Sequence, residues 1–300
     1  MSHVREVSRL VTAHQQQEGA GFIVRRPLPS QSLALADPFL LIDEFGPIEY
    51  APGEALGAPD HPHRGFETVS YILSGEFEHE DSAGHKGVLR GGDVQWMTAG
   101  AGIIHSEMPA RSVREAGGKV HGFQIWVNLP AKLKMTRPRY QEVAAAKIPT
   151  AESSDGLARV RVVAGEALGA RAVIDTLTPI VYQDWSLSPG ADITLPLAED
   201  QQALVYVFEG AARVGDVGSP VEDGQLAVLA AGSSVRLRAA EGATTTTRLL
   251  LLAGVPLNEP VARYGPFVMN TPQEIQQAFR DYQSGKMGEI TRSAQVQTTA

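Results

Sequence analysis

The chain has 300 residues, enough for two domains of ordinary size that each bury a core. A net charge of −8 with no long basic run argues against direct nucleic-acid binding through phosphate contacts. The absence of cysteine excludes disulfides, Cys-ligated zinc, iron–sulfur clusters and thiol catalysis.

From the N-terminus, Met1 to Gln17 is polar and lacks an apolar stretch suited to secretion. No uninterrupted run of about 18 apolar residues occurs, so the expectation is a cytoplasmic protein without membrane association. Glycine and proline then punctuate short apolar runs, the pattern of many short strands. The first chemistry-bearing motif is His61-Pro62-His63, answered downstream by His105-Ser106-Glu107. Side chains two apart share one face of a strand, so each pair can point at one spot. Two neighbouring strands would bring three imidazoles and a carboxylate to a single divalent metal. Without a thiolate the set suits Fe(II), Mn, Co, Ni or Zn, and affinity order alone does not choose among them. Four protein ligands would leave two positions open on an octahedral ion.

Other polar residues near these pairs have alternative readings. Glu67, four residues after His63, shares its face if the strand is regular, and is the alternative carboxylate. Arg64 and Asp60 flank the first pair as outer contacts of the metal site or as surface ion pairs. His79 and His85 lie in an acidic, glycine-bearing hairpin and read as solvated turn residues. Thr98-Ala99-Gly100-Ala101-Gly102 lacks the Lys-Ser/Thr of a phosphate loop and reads as a turn feeding the second pair. His121 and Gln124 are candidates to line a pocket or support the ligands, or else to pack. Trp96, Trp126, Phe39 and Phe45 are either walls for a planar aromatic ligand or plain barrel core.

The chain is also written twice. Tyr71 to Gly75 matches Tyr206 to Gly210, and Gly92 to Gly100 matches Gly224 to Gly232. Both copies show short β-prone runs, a glycine turn, a polar hairpin and another apolar strand, the look of an all-β barrel or jelly roll in tandem. Carried through those matches, His61, His63 and Glu67 fall on Pro196, Ala198 and Gln202, while His105 and Glu107 fall on Leu237 and Ala239. The second copy therefore keeps no ligand, which gives one metal per chain. The expected division is an N-terminal metal-binding barrel over 1–135, a connecting segment over 136–165, and a metal-free barrel over 166–288. Near its end, N-cap Thr271, Pro272, Glu274 and Ile275, Ala278, Phe279 and Tyr282 at helical spacing predict one docked amphipathic helix stopped by Gly285. Residues 289–300 read as a loose tail.

Several strings resemble one family closely. They are DPFLLIDEF (37–45), DHPHRGFETVSYILSGEFEHED (60–81), GDVQWMTAGAGIIHSEMP (92–109), HGFQIWVNLP (121–130) and EPVARYGPFVMNTPQEI (259–275). They resemble the pirins, two-domain members of the cupin superfamily, over about residues 20 to 288. The resemblance implies two stacked cupin barrels with a single iron in the first, held by His61, His63, His105 and Glu107. It leaves Glu67 as an outer group or a structural strand residue, although standard cupins use a glutamate near that position as ligand. It implies a monomer and two sorts of activity. One is cleavage of the flavonol quercetin by dioxygen with loss of carbon monoxide, Glu107 being the candidate base. The other is regulation through a transcription factor or metabolic enzyme partner, in response to the iron state.

Overall fold

The computed structural model describes residues 3–292, and within that span strand is the dominant structure, with helix confined to a few short segments. Each half of the molecule pairs a large sheet of seven strands with a small sheet of four. The large sheets lie back to back. One apolar cluster joins Val69, Trp96, Phe123 and Ile125 of the first to Tyr182, Leu204, Leu250 and Leu252 of the second. Strands of these sheets are covered on both faces, which explains why Val94–Thr98 is buried at every position instead of alternating. This is the expected all-β pair of jelly-roll barrels.

The barrel interiors differ. In the second, the strands Asp192–Pro196 and Ser234–Ala239 pair Ile193 with Leu237 and Leu195 with Val235. These four pack with Val205, Val214 and Leu251 into a dry apolar core. With His105 matched to Leu237, that pairing sets His61 against Ile193 and His63 against Leu195. The expected partners Pro196 and Ala198 are therefore corrected. The cause is loop length: Arg64-Gly65 links the strands in the first barrel, and residues 197–201 link them in the second. The conclusion that the second copy lacks the ligands is unchanged.

The expected domain boundaries need a larger correction, because the chain ends are exchanged. Strand Val7–Thr12 pairs with Gln225–Leu229 and so belongs to the second barrel. Conversely, the hairpin Ala262–Tyr264/Phe267–Met269 and the helix Pro272–Gln283 cover the first barrel, where Val268 N donates to Arg64 O at 3.0 Å. Residues 136–165 are no linker either. Arg139–Val143 pairs with Val94–Thr98 in the first large sheet, and Ala158–Ala164 pairs with Ile180–Leu187 in the second.

The helix itself is as the sequence predicts. Thr271 Oγ1 accepts from Glu274 N at 3.2 Å and Glu274 Oε2 accepts from Thr271 N at 2.8 Å, a reciprocal capping box. Ile275 and Ala278 are buried beneath it against Phe267, Met269 and Met287. Of the expected loose tail, residues 293–300 lie outside the described residues. Arg292, by contrast, is held by Asp60 at 2.6 Å and Glu80 at 2.8 Å. Among the described residues, no helix is long and apolar enough to cross a membrane.

Candidate metal centre

The strands Ala58–His63 and Ile103–Pro109 are antiparallel neighbours, with His61 opposite His105 and His63 opposite Ile103. One ligand atom from each of His61, His63 and His105 lies within 4.8 Å of the others. The rings meet at centroid distances of 4.4 to 4.9 Å. His61 Nδ1 is 2.7 Å from Pro59 O and His63 Nδ1 is 3.4 Å from Pro266 O. A carbonyl only accepts, so Nδ1 carries the proton and Nε2 is left with a lone pair. His105 is buried and neither of its ring nitrogens has a hydrogen-bond partner. Burial, and then the charge of neighbouring imidazoles, hold His63 and His105 well below the usual histidine pKa. Both rings are therefore neutral near pH 7, the form that binds cations.

Glu107 stands beside this triad, its Oε2 3.9 Å from His105 Nε2. A bulge between His105 and Glu107 breaks the register with the first ligand strand, while pairing with Glu76–Asp81 stays regular. Two neighbours fix the carboxylate. Ser70 Oγ donates to Oε1 at 2.6 Å, and Gln124 Nε2 donates to Oε2 at 3.0 Å. Gln124 thus touches Glu107 directly and lines the cavity beside it.

Glu67 and Arg64 are not brought to the site. Gly65, at φ 90°, ends the first ligand strand and turns the chain, so the face count from His63 does not carry across it. On the next strand, Ser70 and Ile72 line the barrel interior, whereas Glu67 turns toward Thr98 Oγ1, which donates to it at 2.6 Å. Burial raises the Glu67 carboxyl pKa there. Arg64 points to the C-terminal helix, pairing with Asp281 at 2.9 Å and donating to Ala101 O at 2.6 Å. Asp60 is occupied by Arg292.

His79 departs from its reading as a solvated turn residue. It is 2% exposed, sits opposite Glu107 on Glu76–Asp81, and has Nε2 2.8 Å from Glu142 Oε1. The alternation of Phe77, His79 and Asp81 with glutamates was the available signal. His85 is in the turn as expected and bonds Asp81. His121 faces the second barrel and bonds Glu44 Oε1 at 2.8 Å.

His61, His63, Ser70, His79, Glu107 and Gln124 line a cavity of about 560 Å³, within the usual range for small-molecule sites. Trp126 and Phe45 wall it, and Trp126 packs edge-on against His63 at 5.2 Å. Phe39 and Trp96 belong to the core between the barrels instead. Phe22 and Phe77 add to the walls and carry no motif that would have marked them.

The sequence pattern of the Pirin family matches residues 21–127, and that of the Pirin C-terminal cupin domain matches residues 182–288. The chain belongs to the pirin family. A pirin-like protein of Solanum lycopersicum is 46% identical over 287 residues, covering 96% of this chain and 94% of that one. Pirin of Homo sapiens is 43% identical over 291 residues, covering 96% of each. The crystal structure of quercetin 2,3-dioxygenase from Acinetobacter baumannii superposes with a TM-score of 0.89 at 39% identity, covering 96% of this chain and all of that one.

In this pirin the residues present fit a metal. The buried His105 ring lacks any protein partner, the imidazoles of His61 and His63 stand against it, and a carboxylate adjoins them. Imidazole and carboxylate donors suit a divalent first-row ion. Among the described residues, no second cluster of this kind occurs.

Proposed function

We propose that this pirin binds one iron at His61, His63, His105 and Glu107 and opens the ring of quercetin or a related flavonol with dioxygen, releasing carbon monoxide. The observation that carries this reading is the cavity itself. An apolar, aromatic-walled space meets the imidazoles of His61 and His63, which converge on the buried His105, and a carboxylate fixed by two hydrogen bonds. The likeness to quercetin 2,3-dioxygenase from Acinetobacter baumannii supports it. An Fe(II) ion in that position would supply a Lewis acid for an enolic hydroxyl and a path for electrons to dioxygen.

The remaining roles belong to the chain. Glu107 takes the enol proton on Oε2, the oxygen nearer His105. Ser70 and Gln124 hold the carboxylate, so its two duties, ligand and base, fall to one fixed orientation. Trp126, Phe45 and Phe77 flank the substrate rings and keep water away from them.

The test is carbon monoxide release from quercetin when oxygen is admitted to anaerobically Fe(II)-loaded protein, with metal-free protein as control. Many turnovers per iron are expected. No release from fully loaded protein would overturn the proposal and favour an iron-dependent regulator acting through a protein partner. Parallel loading with Zn, Mn, Co and Ni identifies the ion that supports turnover.

A further inference from the structure

The metal donors are not the only charged groups in the cavity wall. Four adjacent strands set Ser70, Gln124, Asp43 and Arg26 in one row across its floor. Ser70 lies opposite Gln124 and Gln124 opposite Asp43, and Arg26 clasps both carboxylate oxygens of Asp43 through Nε and Nη2. All four line the cavity. Neighbouring strands are about 4.8 Å apart, so the row spans about 14 Å from Ser70, which holds Glu107, to Arg26. The surfaces beside it are apolar, formed by Leu41, Phe45, Ile72, Leu89 and Trp126.

Arg26 and Asp43 are 8% and 5% exposed. Burying an ion pair is costly, and an apolar pair of similar volume would tie the same two strands more cheaply. Nor is the pair saturated. Each Asp43 oxygen accepts one bond from Arg26 and retains a free lone pair, and no described residue accepts from Arg26 Nη1. Glu18 adds a further acceptor, 2.7 Å from Arg26 Nη2, on the cavity lining.

We propose that the Arg26–Asp43 pair is a recognition end of the cavity, reading the ring hydroxyls of an elongated planar polyphenol whose reacting enol lies at Glu107. One ring hydroxyl donates to Asp43, and the same group or its neighbour accepts from Arg26. The enol of a flavonol sits on its central ring, and Asp43 lies two strand spacings, about 10 Å, along the row from Ser70, which holds Glu107, so the enol and the hydroxyls of one outer ring are held at once. This rests on the flavonol reading and narrows it: the substrate class carries a hydroxylated ring far from the reacting carbon, and an unsubstituted planar aromatic is a poor ligand.

The probes are quercetin and 3-hydroxyflavone, which keeps the enol and all three rings but lacks the other hydroxyls. Their dissociation constants are measured by calorimetry on Fe(II)-loaded protein without oxygen. Wild type is expected to prefer quercetin by about tenfold or more, the worth of one or two hydrogen bonds made out of water. The double variant Arg26→Met/Asp43→Leu, which leaves no lone buried charge, is expected to lose that preference while keeping its iron. Should that double variant not fold, Arg26→Gln/Asp43→Asn retains the shape and is expected to reduce the preference severalfold. Equal affinity of wild type for both flavonols, or a preference that survives in the folded variant, overturns this proposal and leaves flavonol binding intact. Binding of neither flavonol would remove both.

Discussion

Glu107 is held by Ser70 at 2.6 Å and by Gln124 at 3.0 Å, so its carboxylate is oriented before any ligand arrives. Removing it by Glu107→Ala should lower iron per chain well below wild type. Glu107→Gln should keep much of the flavonol affinity and lose at least 10²-fold in turnover, as expected for a lost general base. Glu67→Ala should behave oppositely. It removes a buried acceptor from Thr98 and should cost about 1–3 kcal/mol of stability with full iron content. Metal analysis beside denaturant melts checks both, and iron loss in Glu67→Ala alone would make Glu67, not Glu107, the carboxylate ligand. The two pairs, His61 with His63 and His105 with Glu107, were legible because alternation on a strand is a local rule. The face of Glu67 was not, because one glycine at φ 90° resets the count from His63 and leaves it the structural strand residue of its alternative reading. His79 was hidden by its acidic neighbours, although they occupy the other face of its strand.

At the scale of elements, the C-terminal hairpin and helix are the least obvious part of the candidate metal site. Pro266 O accepts from His63 Nδ1, and Lys134 Nζ, 1% exposed, donates to both Gly65 O at 2.8 Å and Val268 O at 3.1 Å. Burial pushes this lysine down to about 8. The cover approaches so closely that a Cβ at Gly65 would lie 1.9 Å from Val268 O. Gly65→Ala therefore combines backbone strain with a clash against main chain. It should cost more than about 2 kcal/mol and loosen the cover, seen as faster proteolysis near residues 260–290 and faster iron release. Gly190→Ala is the control. Its φ of 83° is similar, but nothing lies within 4 Å, so only about 1–2 kcal/mol of conformational strain is expected. Equal behaviour of the two variants would show that the close approach does not matter. The helix was legible from its capping box and spacing, which are local. Its docking partner was not, because the contacts Arg64–Asp281 and Ser82–Met287 join residues more than 200 positions apart.

Across the whole molecule, the repeat could be read from two glycine-turn matches, and the exchange of chain ends could not. No composition marks Val7–Thr12 as a strand of a barrel that otherwise begins near residue 150. That exchange, with the large apolar core between the sheets, binds the barrels into one unit. Tyr71 donates to Asp184 at 2.7 Å, Tyr206 to Glu44 at 2.7 Å, and Arg25 pairs with Asp223 at 2.8 Å, each across the interface. Neither barrel keeps its core when the other unfolds, because each large sheet would expose a buried apolar face. Denaturation should then be a single transition, with circular dichroism, tryptophan fluorescence and iron absorbance sharing one midpoint. Deleting residues 1–12 makes the sharper case. The deletion touches none of the proposed ligands, yet it uncovers the edge strand Gln225–Leu229 of the second barrel. If the barrels are coupled, the iron site should lose stability together with that distant edge. If only the second barrel weakens while iron release keeps its wild-type midpoint, the two halves are independent and the exchange of ends serves no joint stability.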